Sequence, residues 1–190
     1  RIGPLYKIAM SSRTTNSILA TNMHGEQPSG FSRLDHEAFP VFEPGWVWIA
    51  GAGPGAPGLM SLLCYHALQS CDVVVYDALV NPGILRWLRA GGESEFAGKR
   101  GGKPSPTQRD ITLRLVELAK SGKRVLRLKG GDPFMFGRGG EECQNLSQAG
   151  IPFRVIPGIT AGIGGLAYAG IPATHRDTNH SLIYLTGHDA

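Results

Sequence analysis

Three glycine-rich segments mark where this chain can bring bare backbone against a small molecule. The first, Gly51-Ala52-Gly53-Pro54-Gly55-Ala56-Pro57-Gly58, formally fits the G-x-G-x-x-A dinucleotide fingerprint, with Asp77 following 26 residues after Gly51, a little beyond the spacing of a ribose-binding acid. Its detail argues against NAD, because Pro54 and Pro57 lack the N–H donors on which a pyrophosphate turn depends. The second runs from Lys129 through Gly130, Gly131 and Asp132 to Glu142. Its glycines allow close approach of a ligand, and Asp132 either accepts from hydroxyl or ammonium groups or caps a helix that has Pro133 in its first turn. The third is Pro157-Gly158-Ile159-Thr160-Ala161-Gly162, which is either another backbone slot or a Thr160 cap on a helix of small residues. Asp77 itself, a carboxylate directly after Asp72–Tyr76 (DVVVY), is placed to act as a base or to turn the chain into Ala78.

The elements that hold these segments are short apolar runs alternating with helical patterns, the signature of βα units around an open, mostly parallel sheet with helices on both faces. Strands are expected at Trp46–Ala50, Asp72–Tyr76, Ser94–Ala97, Val125–Lys129, Phe153–Ile156 and Ser181–Thr186. Helices are expected at about Leu59–Ser70, at Thr107–Ser121 with Ile111, Leu115 and Leu118 on one face, at Gly140–Ala149, and after Pro157. Each glycine segment then follows a strand, at the carboxyl edge where open α/β sheets bind ligands.

Composition narrows the class. Of 190 residues 42% are hydrophobic and 18% charged, enough for one solid core and part of a second domain. No apolar run approaches the roughly 18–20 residues of a membrane span. A net charge of +4, without clustered Lys/Arg and stacking aromatics, is no nucleic-acid footprint. The three cysteines, Cys64, Cys71 and Cys143, lack metal-site spacing and read as buried apolar residues in a reducing, cytoplasmic setting. Residues 1–45 read as a leader and linker: up to Gly25 there is no Asp or Glu, and residues 26–45 are rich in Pro and Gly. Residues 46–179 read as one α/β domain, and 180–190 as the beginning of a second, truncated one.

GAGPGAPGL (51–59), YDALV (76–80), FAGKRGGKPSPTQRDI (96–111), RLKGGDPFMFGRGGEE (127–142), VIPGITAGIGGLAYAGIPATHRD (155–177) and LTGHD (185–189) stand in this order. That series resembles the tetrapyrrole methylases, specifically those that methylate uroporphyrinogen III. The resemblance implies a two-domain α/β homodimer that transfers methyl groups from S-adenosylmethionine to C2 and C7 of uroporphyrinogen III, giving precorrin-2 and S-adenosylhomocysteine for cobalamin or siroheme. It implies cofactor contacts at Pro54, Gly130, Gly131, Asp132, Met135, Thr160 and Ala161. It also implies Asp77 as proton acceptor, Lys99 as proton donor, and Arg138 and Glu141 as cleft residues for substrate binding or proton removal. Because the substrate carries many carboxylates, Lys99, Arg100, Lys103, Arg138 and Arg176 are candidate partners or plain surface charges. Two departures stand out. Ala56 occupies a position where the family commonly has an acid, and most of the second domain is absent from the sequence. A chain lacking that half is expected to turn over weakly or not at all, and a non-catalytic binding module is the alternative reading.

Overall fold

The apolar runs become a five-stranded, wholly parallel sheet in the computed structural model, which describes residues 39–98 and 107–186. In chain order the elements are β1 (Val47–Gly51), α1 (Leu62–Ser70), β2 (Val73–Tyr76), β3 (Glu93–Phe96), α2 (Gln108–Lys120), β4 (Val125–Lys129), α3 (Gly139–Gln148), β5 (Phe153–Ile156) and α4 (Ala161–Tyr168). Across the sheet the order is β3-β2-β4-β1-β5, with Val47 opposite both Val125 and Phe153, and Val73 opposite Val125. Every residue of β1 and β4 is buried, as a parallel sheet covered on both faces requires. On one face Trp48, Ala50, Val74, Leu126 and Leu128 pack with Cys64, Ala67 and Leu68 of α1 and with Ile84 from the 3-10 stretch Pro82–Trp87. On the other face Val47, Ile49, Val73, Val75 and Val125 meet Leu115 and Leu118 of α2 and Cys143 and Leu146 of α3. No helix among the described residues is long and apolar enough to cross a membrane.

Several local expectations shift. The first helix begins at Leu62 rather than Leu59, because Pro57–Leu59 closes a 3-10 turn and the Ser61 hydroxyl then caps the helix by accepting from the Cys64 N–H at 3.2 Å. In α2 it is Thr112, Leu115, Leu118 and Ala119 that are buried, while Ile111 is half-buried at the margin. Order begins before Trp46: Phe42 is buried and its ring stacks on Trp48 with centroids 4.1 Å apart. Of the leader, residues 1–38 lie outside the described residues. The strand expected at Ser181–Thr186 does not form. A strand needs a ladder partner, and this segment is not paired in the sheet, leaving Ile183 and Leu185 exposed. All three cysteines are buried free thiols, and burial pushes Cys64 and Cys71 up to about 12 and Cys143 up to about 11.

The strand order creates a switch point. β1 and β4 lie side by side, yet the chain leaves β1 toward β2 on one side and leaves β4 toward β5 on the other, opening a crevice at their carboxyl ends. There the main chains meet without side chains between them. The Gly131 N–H donates to the Gly53 carbonyl at 2.8 Å and the Gly53 N–H donates back to Gly131 at 3.2 Å. A Cβ added to Gly51 would sit 2.6 Å from Gly158 Cα, and one added to Gly158 would sit 2.7 Å from Gly51 Cα. Both obstacles are backbone, which cannot swing aside.

At the opposite end, Asp72 ties β2 to β4. Its Oδ1 accepts from Arg89 at 2.6 Å and Arg124 at 2.8 Å, and its Oδ2 accepts from the Arg124 N–H at 2.8 Å and Nε at 3.0 Å. The hydrogen-bonded Arg124 guanidinium, against some opposition from burial, holds the carboxyl well below its ordinary range. Because the folded-state value is depressed, the stabilisation is present above the unfolded value near ~4 and is lost as pH falls below it. Asp72→Asn is therefore expected to cost about 1–2 kcal/mol at neutral pH, with the difference in melting temperature from wild type closing in acid, as measured by thermal melts across pH. Gly158→Ala is expected to cost more than ~2 kcal/mol. By contrast Gly165→Ala, which has open space in α4, is expected to stabilise by up to about 1 kcal/mol. Denaturant unfolding of the two variants checks the contrast.

Candidate functional site

Asp132 latches the second and third glycine segments together. Its Oδ1 accepts from the Phe134 N–H at 2.8 Å, closing a local turn, and its Oδ2 accepts from the Gly158 N–H at 3.0 Å. Of the two sequence readings for Asp132, the helix cap is not realised. Residues 132–138 form turns, and α3 starts only at Gly139, with Arg138 at the cap position in a left-handed conformation (φ 56°). Phe136 is also left-handed (φ 53°), so this segment carries two non-glycine residues in a sparsely populated region. Thr160 does sit at the cap of α4, but its side chain makes no capping hydrogen bond. A Cβ on Gly131 would reach 3.8 Å from Thr160 Cα and 3.9 Å from the Ala161 N, so the second and third segments run side by side there. Pro54 joins from the first segment: a Cβ on Gly164 of α4 would meet its Cγ at 2.8 Å. Met135 is half-buried, and its N–H donates to the Asp132 carbonyl at 3.3 Å.

Asp77 follows β2, next to β4 in the sheet. Its Oδ1 accepts from the Leu79 N–H at 3.0 Å, so the turn reading holds. Its Oδ2 lies 3.6 Å from Nη2 of Arg127, so the carboxylate is also paired. It borders a cavity of about 430 Å³ lined by Tyr76, Ala78, Val80, Pro82 and Phe96. Leu79 reaches the second segment, since a Cβ on Gly130 would come within 2.5 Å of Leu79 Cβ. Gly131 thus lies beside Thr160 and Ala161, Asp132 is bonded to the third segment, and Gly130 lies against the turn that Asp77 closes.

Beneath these segments lies a charged cluster. Arg127 and Lys129 are 2% and 4% exposed, and Glu142 of α3 is 0% exposed. Glu142 Oε1 accepts from Gln108 of α2 at 2.8 Å, from Arg127 Nε at 3.1 Å and from Lys129 Nζ at 3.2 Å. Burial, followed by the Arg127 charge, pushes Lys129 down, with Glu142 opposing. None of these four residues emerges as a site residue from the sequence motifs. The readable signal is β4 itself: in Val125-Leu126-Arg127-Leu128-Lys129 two cations fall on one face of a strand whose neighbours demand burial on both.

Arg138 and Glu141 stand apart from this. They pair with each other at 3.2 Å on the solvent-facing start of α3, with side chains 63% and 53% exposed. Such a pair contributes little to stability and leaves both groups accessible. Arg176 is exposed in the turn closed by His175 and Asn179. Lys99, Arg100 and Lys103 lie outside the described residues. The first glycine segment offers a pyrophosphate little: the N–H groups of Ala52, Gly53, Leu59 and Met60 all donate within the chain, and two further positions are proline.

Residues 47–190 match the family model described as Tetrapyrrole (Corrin/Porphyrin) Methylases. The chain is 66% identical over 151 residues to a uroporphyrinogen-III C-methyltransferase from Sinorhizobium sp, covering 80% of this chain and 54% of that protein. It is 54% identical over 149 residues to a siroheme synthase of Pseudomonas fluorescens strain SBW25, covering 78% of this chain and 32% of the synthase. The chain therefore spans about half, or less, of the length of these relatives. Among solved structures, a uroporphyrin-III C-methyltransferase from Thermus thermophilus complexed with S-adenosylhomocysteine superposes with a TM-score of 0.60 at 41% identity, over 71% of this chain and 56% of that one. With the parallel sheet, the glycine-lined crevice and these matches in agreement, this chain belongs to the tetrapyrrole methylases.

Proposed function

We propose that this chain carries the cofactor-binding half of an S-adenosylmethionine-dependent C-methyltransferase that acts on uroporphyrinogen III at C2 and C7 to give precorrin-2, in siroheme or cobalamin formation. In this reading residues 46–179 are the first methylase domain, 180–190 begin a second, and the working form is a cytoplasmic homodimer. The observation that carries the reading is the latch at the switch point, where Asp132 and the unclothed backbones of Gly51, Gly131 and Gly158 bring three loops together. S-adenosylmethionine, bound at these loops, would supply an activated methyl group. Pro54, Gly130, Gly131, Asp132, Met135, Thr160 and Ala161 would hold the cofactor, largely through main-chain atoms, which explains why the loops are rich in glycine and small residues.

What remains for the protein is alignment of an electron-rich pyrrole carbon and removal of its proton after the new bond forms. Asp77, fixed at the crevice by Leu79 and Arg127, is the proton acceptor in this reading. Arg138 is accessible for bidentate pairing with substrate carboxylates, with Glu141 setting its orientation through their mutual hydrogen bond. Lys99 is the proton donor by family resemblance.

Calorimetric titration of the full chain with S-adenosylhomocysteine, with NAD in parallel, tests the cofactor assignment. Saturable binding of S-adenosylhomocysteine and none of NAD is expected. Asp132→Ala should weaken that binding at least tenfold, about 1.4 kcal/mol, by releasing Gly158, whereas Asp77→Asn should leave it unchanged. Binding of NAD alone, or of neither ligand by a folded chain, overturns the assignment.

A further inference from the structure

We propose that Glu142, buried in α3 and remote from solvent, is a positioning residue for Asp77 and acts through Arg127. The functional weight of this inference rests on Asp77 being the proton acceptor. The geometry beneath it does not.

Arg127 is a planar fork whose three nitrogens each have a separate task. Nε donates to Glu142 Oε1 at 3.1 Å, and Nη1 donates to the carbonyls of Val75 at 3.3 Å and Leu128 at 3.2 Å. With Nε and Nη1 held, the plane is fixed and Nη2 is aimed at Asp77 Oδ2, 3.6 Å away. The other Asp77 oxygen is taken by the Leu79 N–H. The carboxylate is thereby oriented from both ends, one by its own turn and one by Arg127. Orientation matters for a base that must take a proton from a carbon presented at one angle.

Glu142 has the features of an anchor. It is fully buried, and its Oε1 gathers Gln108, Arg127 and Lys129 while its Oε2 has no hydrogen-bond partner among the described residues. The neighbouring Glu141, which the family motif points to, is exposed and tied to exposed Arg138. The acid wired toward Asp77 is thus the second of the two. Among the described residues, the charged groups around Asp77 are Arg127 and Lys129 from β4, with Glu142 from α3 behind them and Gln108, which is neutral, contributed by α2.

A merely structural Glu142, neutralising two buried cations, makes a different prediction from a positioning one, and the orientation of Asp77 separates them. The experiment is NMR measurement of the Asp77 χ1 rotamer from its α–β proton couplings in the full chain at neutral pH, the resonances assigned by Asp77→Asn. In the wild type the couplings are expected to report one staggered rotamer. Arg127→Gln is expected to move them toward rotamer-averaged values, by removing the guanidinium that meets Oδ2. Glu142→Ala is expected to do the same, and the double variant no more than Arg127→Gln alone. Glu142→Gln preserves shape and the Oε1 acceptor, and is expected to give a smaller change; it decides the question where the alanine variant does not fold. Couplings unchanged in the Glu142 variants, or additive effects in the double variant, overturn the proposal. Calorimetry with S-adenosylhomocysteine on the same samples keeps the two readings separable, since failure of the wild-type chain to bind refutes the cofactor assignment and leaves the orientation of Asp77 to stand or fall by itself.

Discussion

The fold is organised around main chains that touch. At the carboxyl end of the sheet the chain approaches itself so closely after β1, β4 and β5 that no Cβ fits at Gly51 or Gly158, and an isolated antiparallel bridge joins Gly53 to Gly131 just past the parallel β1–β4 ladder. Much else follows from this. Strand order brings β1 and β4 together, and the switch in chain direction opens the crevice between them. Glycine alone allows the main chains to meet there without side chains between them. Asp132 then holds the third loop against the second.

Beneath these loops the chain accepts an electrostatic burden. Two cations on β4 are withdrawn from water, and a single carboxylate oxygen of Glu142 serves both of them together with Gln108. Replacement of such a cluster by apolar residues often costs nothing in stability, so its presence calls for another explanation. Arg127 supplies one, because the same guanidinium that satisfies Glu142 also reaches the rim at Asp77. Glu142 enters the core at the first turn of α3, directly after the strained, left-handed Arg138, so the strain and the buried acid are adjacent features of one chain reversal.

Much of this was legible in the residues. Apolar runs such as VVVY and VWIAG announce strands because burial on both faces leaves no other composition open to them, and glycines after those runs announce backbone approach. The exceptions have physical causes. SLIYLT has the composition of a strand, but strand formation is a property of a pair, and residues 181–186 are not paired in the sheet. In α2 the expected Leu115 and Leu118 are buried, and Thr112 joins them because its hydroxyl donates to the Gln108 carbonyl, something its polarity does not advertise. Glu142 was hidden by its neighbour: in a Gly-Gly-Glu-Glu run at a helix start, nothing short of the turn geometry says which acid faces inward. Arg127 and Lys129 could have been suspected from their alternation within β4, since a central strand has no wet face.

The three buried thiols give the molecule an internal clock. Cys64 and Cys71 belong to the layer under α1, and Cys143 to the layer under α3. With ionisation pushed to about 11–12, none presents a thiolate while its layer is closed. Alkylation therefore proceeds only through openings of the structure, and the relative labelling of Cys143 against the other two reports which face of the sheet uncovers first. A ligand seated over the carboxyl edge would slow both rates together if it closes the whole sheet, and only one of them if it braces a single layer.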